Sequence, residues 1–160
     1  MTVFQQLGRG VGLCLWAVIA QAAHASEPIL LTVSVDGEDT GFTRSALEAL
    51  GTAEIETTTI WTDGVQHFSG VPLRALAEMF DVGDSGFRAY AINDYVIDIP
   101  LEDARDGGAL LALDRDGEPM SLRDMGPIWL IYPYDSDRDF QTEVIYARSV
   151  WQLIRLEVMD

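Results

Sequence analysis

Cysteine is nearly missing from this chain. Its only cysteine, Cys14, sits in an apolar stretch near the start, lysine is absent, and the histidines are His24 and His67 alone. Beyond residue 26 there is therefore no disulfide, no thiolate to ligate a metal and no cysteine nucleophile. A zinc site needs more His and Cys than remain. Without lysine there is no P-loop, and "RDGGAL" offers two glycines but not the phosphate-cradling spacing. No G-x-S-x-G elbow accompanies His67, which leaves a serine triad unsupported. Nor does the chain carry a haem-attachment or iron–sulfur motif.

Positive charge is scarce too. Ten arginines face 26 acids, a net charge of −16. Such a field repels nucleic acid and anionic lipid, favours solubility and is compatible with a cationic partner. The run "YDSDRDF" places Asp135, Asp137 and Asp139 at alternate positions, as in the first half of a calcium loop. Such a loop needs glycine at its sixth position and glutamate at its twelfth, where this chain has Phe140 and Tyr146. The run reads as a solvated acidic turn, or as partners for Arg138 and Arg148.

No apolar run is long enough to span a bilayer of roughly 30 Å; Val11–Ala20 falls well short. Followed by Ala23-His24-Ala25, a small-x-small pattern, it makes residues 1–25 an expected cleaved secretory signal. Export to the periplasm follows, with no membrane insertion after cleavage. Arg9 leaves with that segment and no acid does, which lowers the net charge from −16 to −17.

Residues 26–160 contain no repeat or linker and read as one domain. "PILLTVSVDGE" is a strand ending at an Asp-Gly turn. "FTRSALEALGT" is a short helix capped by Thr43 and stopped at Gly51. "AEIETTTIW" alternates like a strand. "FSGVPLRALAEMFDVG" predicts a helix with Pro72 in its first turn and an apolar stripe of Leu73, Leu76, Met79 and Phe80. "FRAYAINDYVIDIPL" predicts two strands about Asn93-Asp94, and "GPIWLIYP" a buried strand. A short helical segment and a last strand close the chain. Short strands and helices without a βαβ rhythm give an α+β class.

Aromatics gather at the expected loop edges: Trp61, Tyr90, Tyr95, Trp129, Tyr132, Tyr134, Tyr146 and Trp151. Such residues build ligand pockets and ordinary cores alike, and composition alone favours core.

The order of "FSGVPLRALAEMF", "AINDYVIDIPLEDA", "LLALDRDGEPMSLRDMGPIWLIYP" and "SVWQLIRLEV" resembles the molybdopterin-binding domain of the sulfite oxidase family, across about residues 29–158. More closely, the chain resembles small exported proteins in which "TTxxWTDG", "NDYxxxIP", "GPxWxIYPYD" and "RSVWQL" recur together. The resemblance implies a sulfite-oxidase-type fold and places the molybdenum wall at Thr57–Trp61. There the catalytic family has a thiolate ligand and this chain has threonines. It also implies a pterin-phosphate loop at Tyr132–Asp137, here acidic and without glycine. From it we expect a non-catalytic binding or accessory module with no cofactor. Trp61, His67, Asn93, Tyr95, Tyr132, Tyr134 and Arg148 would line or border the former cofactor cleft. Trp61 and Tyr134 would be apolar walls, Asn93 and Tyr95 hydrogen-bonding groups, and Arg148 a cation for an acidic ligand or for Asp135 or Asp137. The expected partner is a small molecule or a periplasmic or membrane protein. The alternative is a molybdopterin-dependent oxidoreductase, or its subunit, with an atypical ligand set.

Overall fold

The computed structural model describes residues 27–159. The expected secretory signal, with Cys14 and His24, lies outside the described residues. Among the described residues ten strands and three short α-helices, with short 3₁₀ turns at Leu101–Ala104, Leu122–Asp124 and Arg138–Phe140, follow in the order β1 (Ile29–Val35), β2 (Glu38–Thr43), α1 (Arg44–Glu48), β3 (Ala53–Thr58), β4 (Val65–Pro72), α2 (Leu73–Met79), β5 (Phe87–Ala91), β6 (Val96–Ile99), β7 (Leu110–Arg115), β8 (Glu118–Pro119), β9 (Trp129–Ile131), α3 (Glu143–Arg148) and β10 (Leu153–Val158). This is an α+β fold of two five-stranded sheets. None of the described helices is long and apolar enough to cross a membrane.

One sheet runs β2-β1-β10-β5-β6, with β1 and β10 parallel and the other neighbours antiparallel. The other runs β3-β4-β7, and the free edge of β7 is shared by β9 along Leu110–Ala112 and by β8 at Asp114 and Arg115. Asp36-Gly37 and Asp116-Gly117 make the hairpin turns, all four residues having positive φ, which Asp and Gly tolerate best. Thr43 caps α1 by accepting from the Ala46 N–H.

Both sheets contribute to one core: Leu31, Val33 and Leu156 from the first meet Val71, Leu111, Leu113 and Leu130 from the second, with Leu47, Leu73 and Leu76 of the helices. A smaller cluster covers the other face of the second sheet, where Phe68, Leu110, Ala112, Trp129 and Ile131 pack with Met120. Strand β7 is thus buried on both faces, as a central strand with an unbroken apolar run should be.

Two expectations about "FSGVPLRALAEMF" are corrected. Pro72 is the last residue of a strand, because Val71 and Pro72 pair with Leu111 and Leu110, and the helix begins at Leu73. The missing proline N–H costs nothing at that junction. The buried stripe of α2 is Leu73, Leu76 and Ala77, while Met79 is 53 % exposed. The helix ends at Met79, and Phe80 past its end packs edge-on against Phe42, with ring centres 6.0 Å apart.

Candidate functional site

A cleft of about 210 Å³ opens where the β5–β6 hairpin meets the end of α3 and the turn after β3. The three segments come together for separate reasons. In the hairpin turn Asp94 takes a left-handed conformation (φ 64°), and the Asn93 Oδ1 accepts from the Tyr95 N–H at 3.3 Å. The Tyr95 hydroxyl then donates to the Ala147 carbonyl at 2.9 Å, fastening the hairpin to α3. Thr142 caps α3 through the Ile145 N–H.

Trp61 enters from the β3–β4 turn and sits edge-on to four rings: Trp129, Tyr134, Tyr146 and Trp151, at centroid distances of 5.7, 6.3, 5.8 and 5.9 Å. Edge-to-face contacts are the favoured aromatic geometry, and four at one ring hold that ring in place. Its backbone is held by the threonine run. The Thr59 hydroxyl accepts from the Trp61 N–H and shares a hydrogen bond with Thr62. Thr58 donates through its N–H and its hydroxyl to the Asp135 carboxylate, at 2.6 and 2.8 Å, and Thr57 accepts from the Asp135 N–H at 3.1 Å. The acidic loop and the threonines therefore form one clasp.

These donors hold the Asp135 carboxyl below its usual range, the Thr58 N–H first and its hydroxyl next. Since the folded pKa is the lower one, the clasp stabilises fully above the unfolded value of about 3.9 and fades as pH falls through the folded value. Asp135 is exposed, so solvent screening limits the contribution to less than about 1 kcal/mol. Asp135→Ala is expected to lower the melting temperature by a few degrees at pH 7 and by less at pH 3. An equal loss at both pH values would mean that the charge plays no part.

Of the residues expected to gather here, Trp61, Asn93 and Tyr95 line the cleft directly. Tyr134 stands behind it, buried, touching Trp61 and Tyr146 and sharing a 2.6 Å hydrogen bond with Ser149. Tyr132 is wholly buried and donates to Asp103 at 2.9 Å. Burial drives both phenol pKa values upward, and for Tyr132 the neighbouring Asp103 charge adds to it, so both remain protonated.

Two placements correct the expectation. Arg148 pairs with neither Asp135 nor Asp137 but with Asp103, its Nη1 lying 3.2 and 3.4 Å from the two carboxylate oxygens. The reason is geometric: Asp135 faces the threonines across the chain, and Asp137 caps its own helical turn through the Asp139 N–H. His67 does not line the cleft. It lies on β4 opposite Glu56, with Nε2 3.2 Å from that exposed carboxylate, and its backbone N–H donates to the Asp116 carboxylate. Among the described residues no group of His, Cys, Asp and Glu is arranged to hold a metal, and the acidic run at 135–139 makes none.

Sequence reasoning passed over Asp103, whose position after "IPL" carries no local signal of a partner 45 residues away. It marked Tyr146 and Trp151 as aromatic without placing them in the cleft. The rest of the lining is Ala91, Ala147, Ser149 and Val150, so no charged side chain faces the cleft. The Ser149 hydroxyl is itself committed, donating to the Ile145 carbonyl at 2.8 Å.

No protein-family model matches the sequence, and no curated protein is significantly similar to it. Among solved structures the chain is similar to the sulfane dehydrogenase SoxCD from Paracoccus pantotrophus, at 18 % identity and a TM-score of 0.56. The match takes in 81 % of this chain but 38 % of that one, so this chain spans well under half the length of its structural neighbour. At that identity the likeness is one of fold: the two share the α+β architecture described above.

Proposed function

We propose that this protein is a non-catalytic periplasmic binding or accessory module on a sulfite-oxidase-like fold. The observation that carries the reading is the clasp at Thr57, Thr58 and Asp135, which stands where the resemblance puts the molybdenum wall. The residues present do not fit a molybdenum–pterin cofactor. Threonine hydroxyls cannot replace a soft thiolate, and those of Thr57, Thr58 and Thr59 are already committed. The loop that would meet the pterin phosphate carries the Asp135 carboxylate. Arg148, the cation best placed by sequence, is engaged by Asp103.

The fold likeness to a dehydrogenase favours a second reading, an oxidoreductase or its subunit with an unusual ligand set. Metal and pterin analysis of protein purified from a cofactor-competent host separates the two. We expect neither molybdenum nor pterin to co-purify. Stoichiometric amounts of both would overturn the binding-module reading. Cell fractionation of the tagged full chain tests the periplasmic part, for which the expected result is recovery in the periplasmic fraction at the size of residues 26–160.

A further inference from the structure

We infer that the cleft binds a small organic cation of the quaternary-ammonium type, held against aromatic faces; this rests on the binding-module reading above. Four of the nine lining residues are aromatic: Trp61, Tyr95, Tyr146 and Trp151. Aromatic rings carry a negative quadrupole on their faces, and several converging on one small space suit a cation too bulky to need hydrogen-bond acceptors. At about 210 Å³ the cleft is below the roughly 300–1,000 Å³ of sites that take drug-sized molecules, so its occupant is small.

The charges on the segments that form the cleft select the sign. Asp63 lies two residues after Trp61, Asp94 is in the hairpin turn and Glu143 opens α3, and none of these carboxylates has an ion-pair partner among the described residues. The two arginines on these segments are both paired, Arg148 with Asp103 and Arg88 of β5 with Asp98. Arg123 belongs to the loop that Gln152 binds through the Leu122 carbonyl, and it does not line the cleft. An anion would therefore meet no unpaired positive side chain in the lining. The hydroxyls of Tyr95 and Ser149 already donate within the protein. A cation would meet an aromatic lining inside a field set by 26 acids against ten arginines.

Choline and its uncharged isostere 3,3-dimethylbutan-1-ol form the test pair, titrated into the metal-free full-length protein and followed by tryptophan fluorescence and calorimetry. Choline is expected to bind about fivefold or more tighter than the isostere, within the range that cation–π contacts supply. Its affinity should fall as salt is raised. Tyr95 is 42 % exposed, so its replacement is expected to leave the fold intact, which a melting curve checks. Tyr95→Leu should weaken choline binding about fivefold, whereas Tyr95→Phe, which keeps the ring face, should stay within about twofold. Equal binding of choline and the isostere, no binding of choline up to millimolar concentration, or indifference to Tyr95→Leu in a folded variant would each overturn the inference. Any of these results in molybdenum-free protein leaves the binding-module reading standing, while stoichiometric molybdenum removes that reading first.

Discussion

Gly70→Ala is expected to destabilise the protein by about 4 kcal/mol or more, at the exceptional end of single substitutions. Gly70 is the glycine of "FSGVPL", and the register between β4 and β7 shifts between Ser69 and Gly70. The shift brings the two backbones so close that a Cβ at Gly70 would lie 2.8 Å from the Ala112 Cα and closer still to the Leu111 carbonyl oxygen. Those atoms are main chain and cannot swing aside, so the strands would have to part. Strand β7 is the one least able to move, since Leu111 and Leu113 lie in the main core while Leu110 and Ala112 lie in the smaller one. The melting temperature should fall by on the order of 10–20 °C. Gly83→Ala is the control: it has open space around it and no positive φ, and should stay within about 0.5 kcal/mol of the parent. Similar melting curves for the two variants would disprove the close approach.

The second large effect is expected at Asp103 and Arg148. The Asp103 side chain is 9 % exposed and that of Arg148 24 %, and Tyr132 completes the set from full burial. Arg148→Met leaves a buried carboxylate with only the tyrosine hydroxyl. Breaking a fully buried pair costs about 3–5 kcal/mol, and the partial exposure of Arg148 reduces this to about 2–3. Asp103→Ala strands both the guanidinium and a buried phenol, at a cost of about 3 kcal/mol. Once either partner is gone, loss of the other matters less. The double variant should therefore be more stable than the sum of the single losses allows, by about 1–3 kcal/mol. Urea unfolding of the four proteins measures this coupling, and strict additivity would show the contact to be of no consequence.

Both predictions concern features that the chain hides until it folds, whereas other features are legible along it. The α+β class, the Asp-Gly turns, the Thr43 cap and the buried strand in "GPIWLIYP" follow from properties that act over a few residues. Positive φ is cheap for Gly and tolerable for Asp, a threonine hydroxyl reaches an N–H three residues on, and an unbroken apolar run must be buried. The resemblance to the sulfite oxidase family added the order of segments and the place where a metal wall would stand.

The structure decided the rest, and in each case the deciding atom belongs to another segment of the chain. Pro72 ended a strand because Leu111 and Leu110 were there to pair with Val71 and Pro72. Arg148 turned to Asp103 because Asp135 was held by Thr58, 77 residues earlier. His67, placed near the cleft by its position in sequence, went to an exposed strand position opposite Glu56. Trp61 became the hub of the aromatic cluster only when the β3–β4 turn met the end of α3. By itself the sequence determined the class of the elements and the chemistry available, since propensity, capping and turn preference are local. Only the tertiary structure decided which acid meets which arginine and which rings enclose a cleft, because those pairings are set by how two sheets pack and a single chain read in order does not encode distance across that packing.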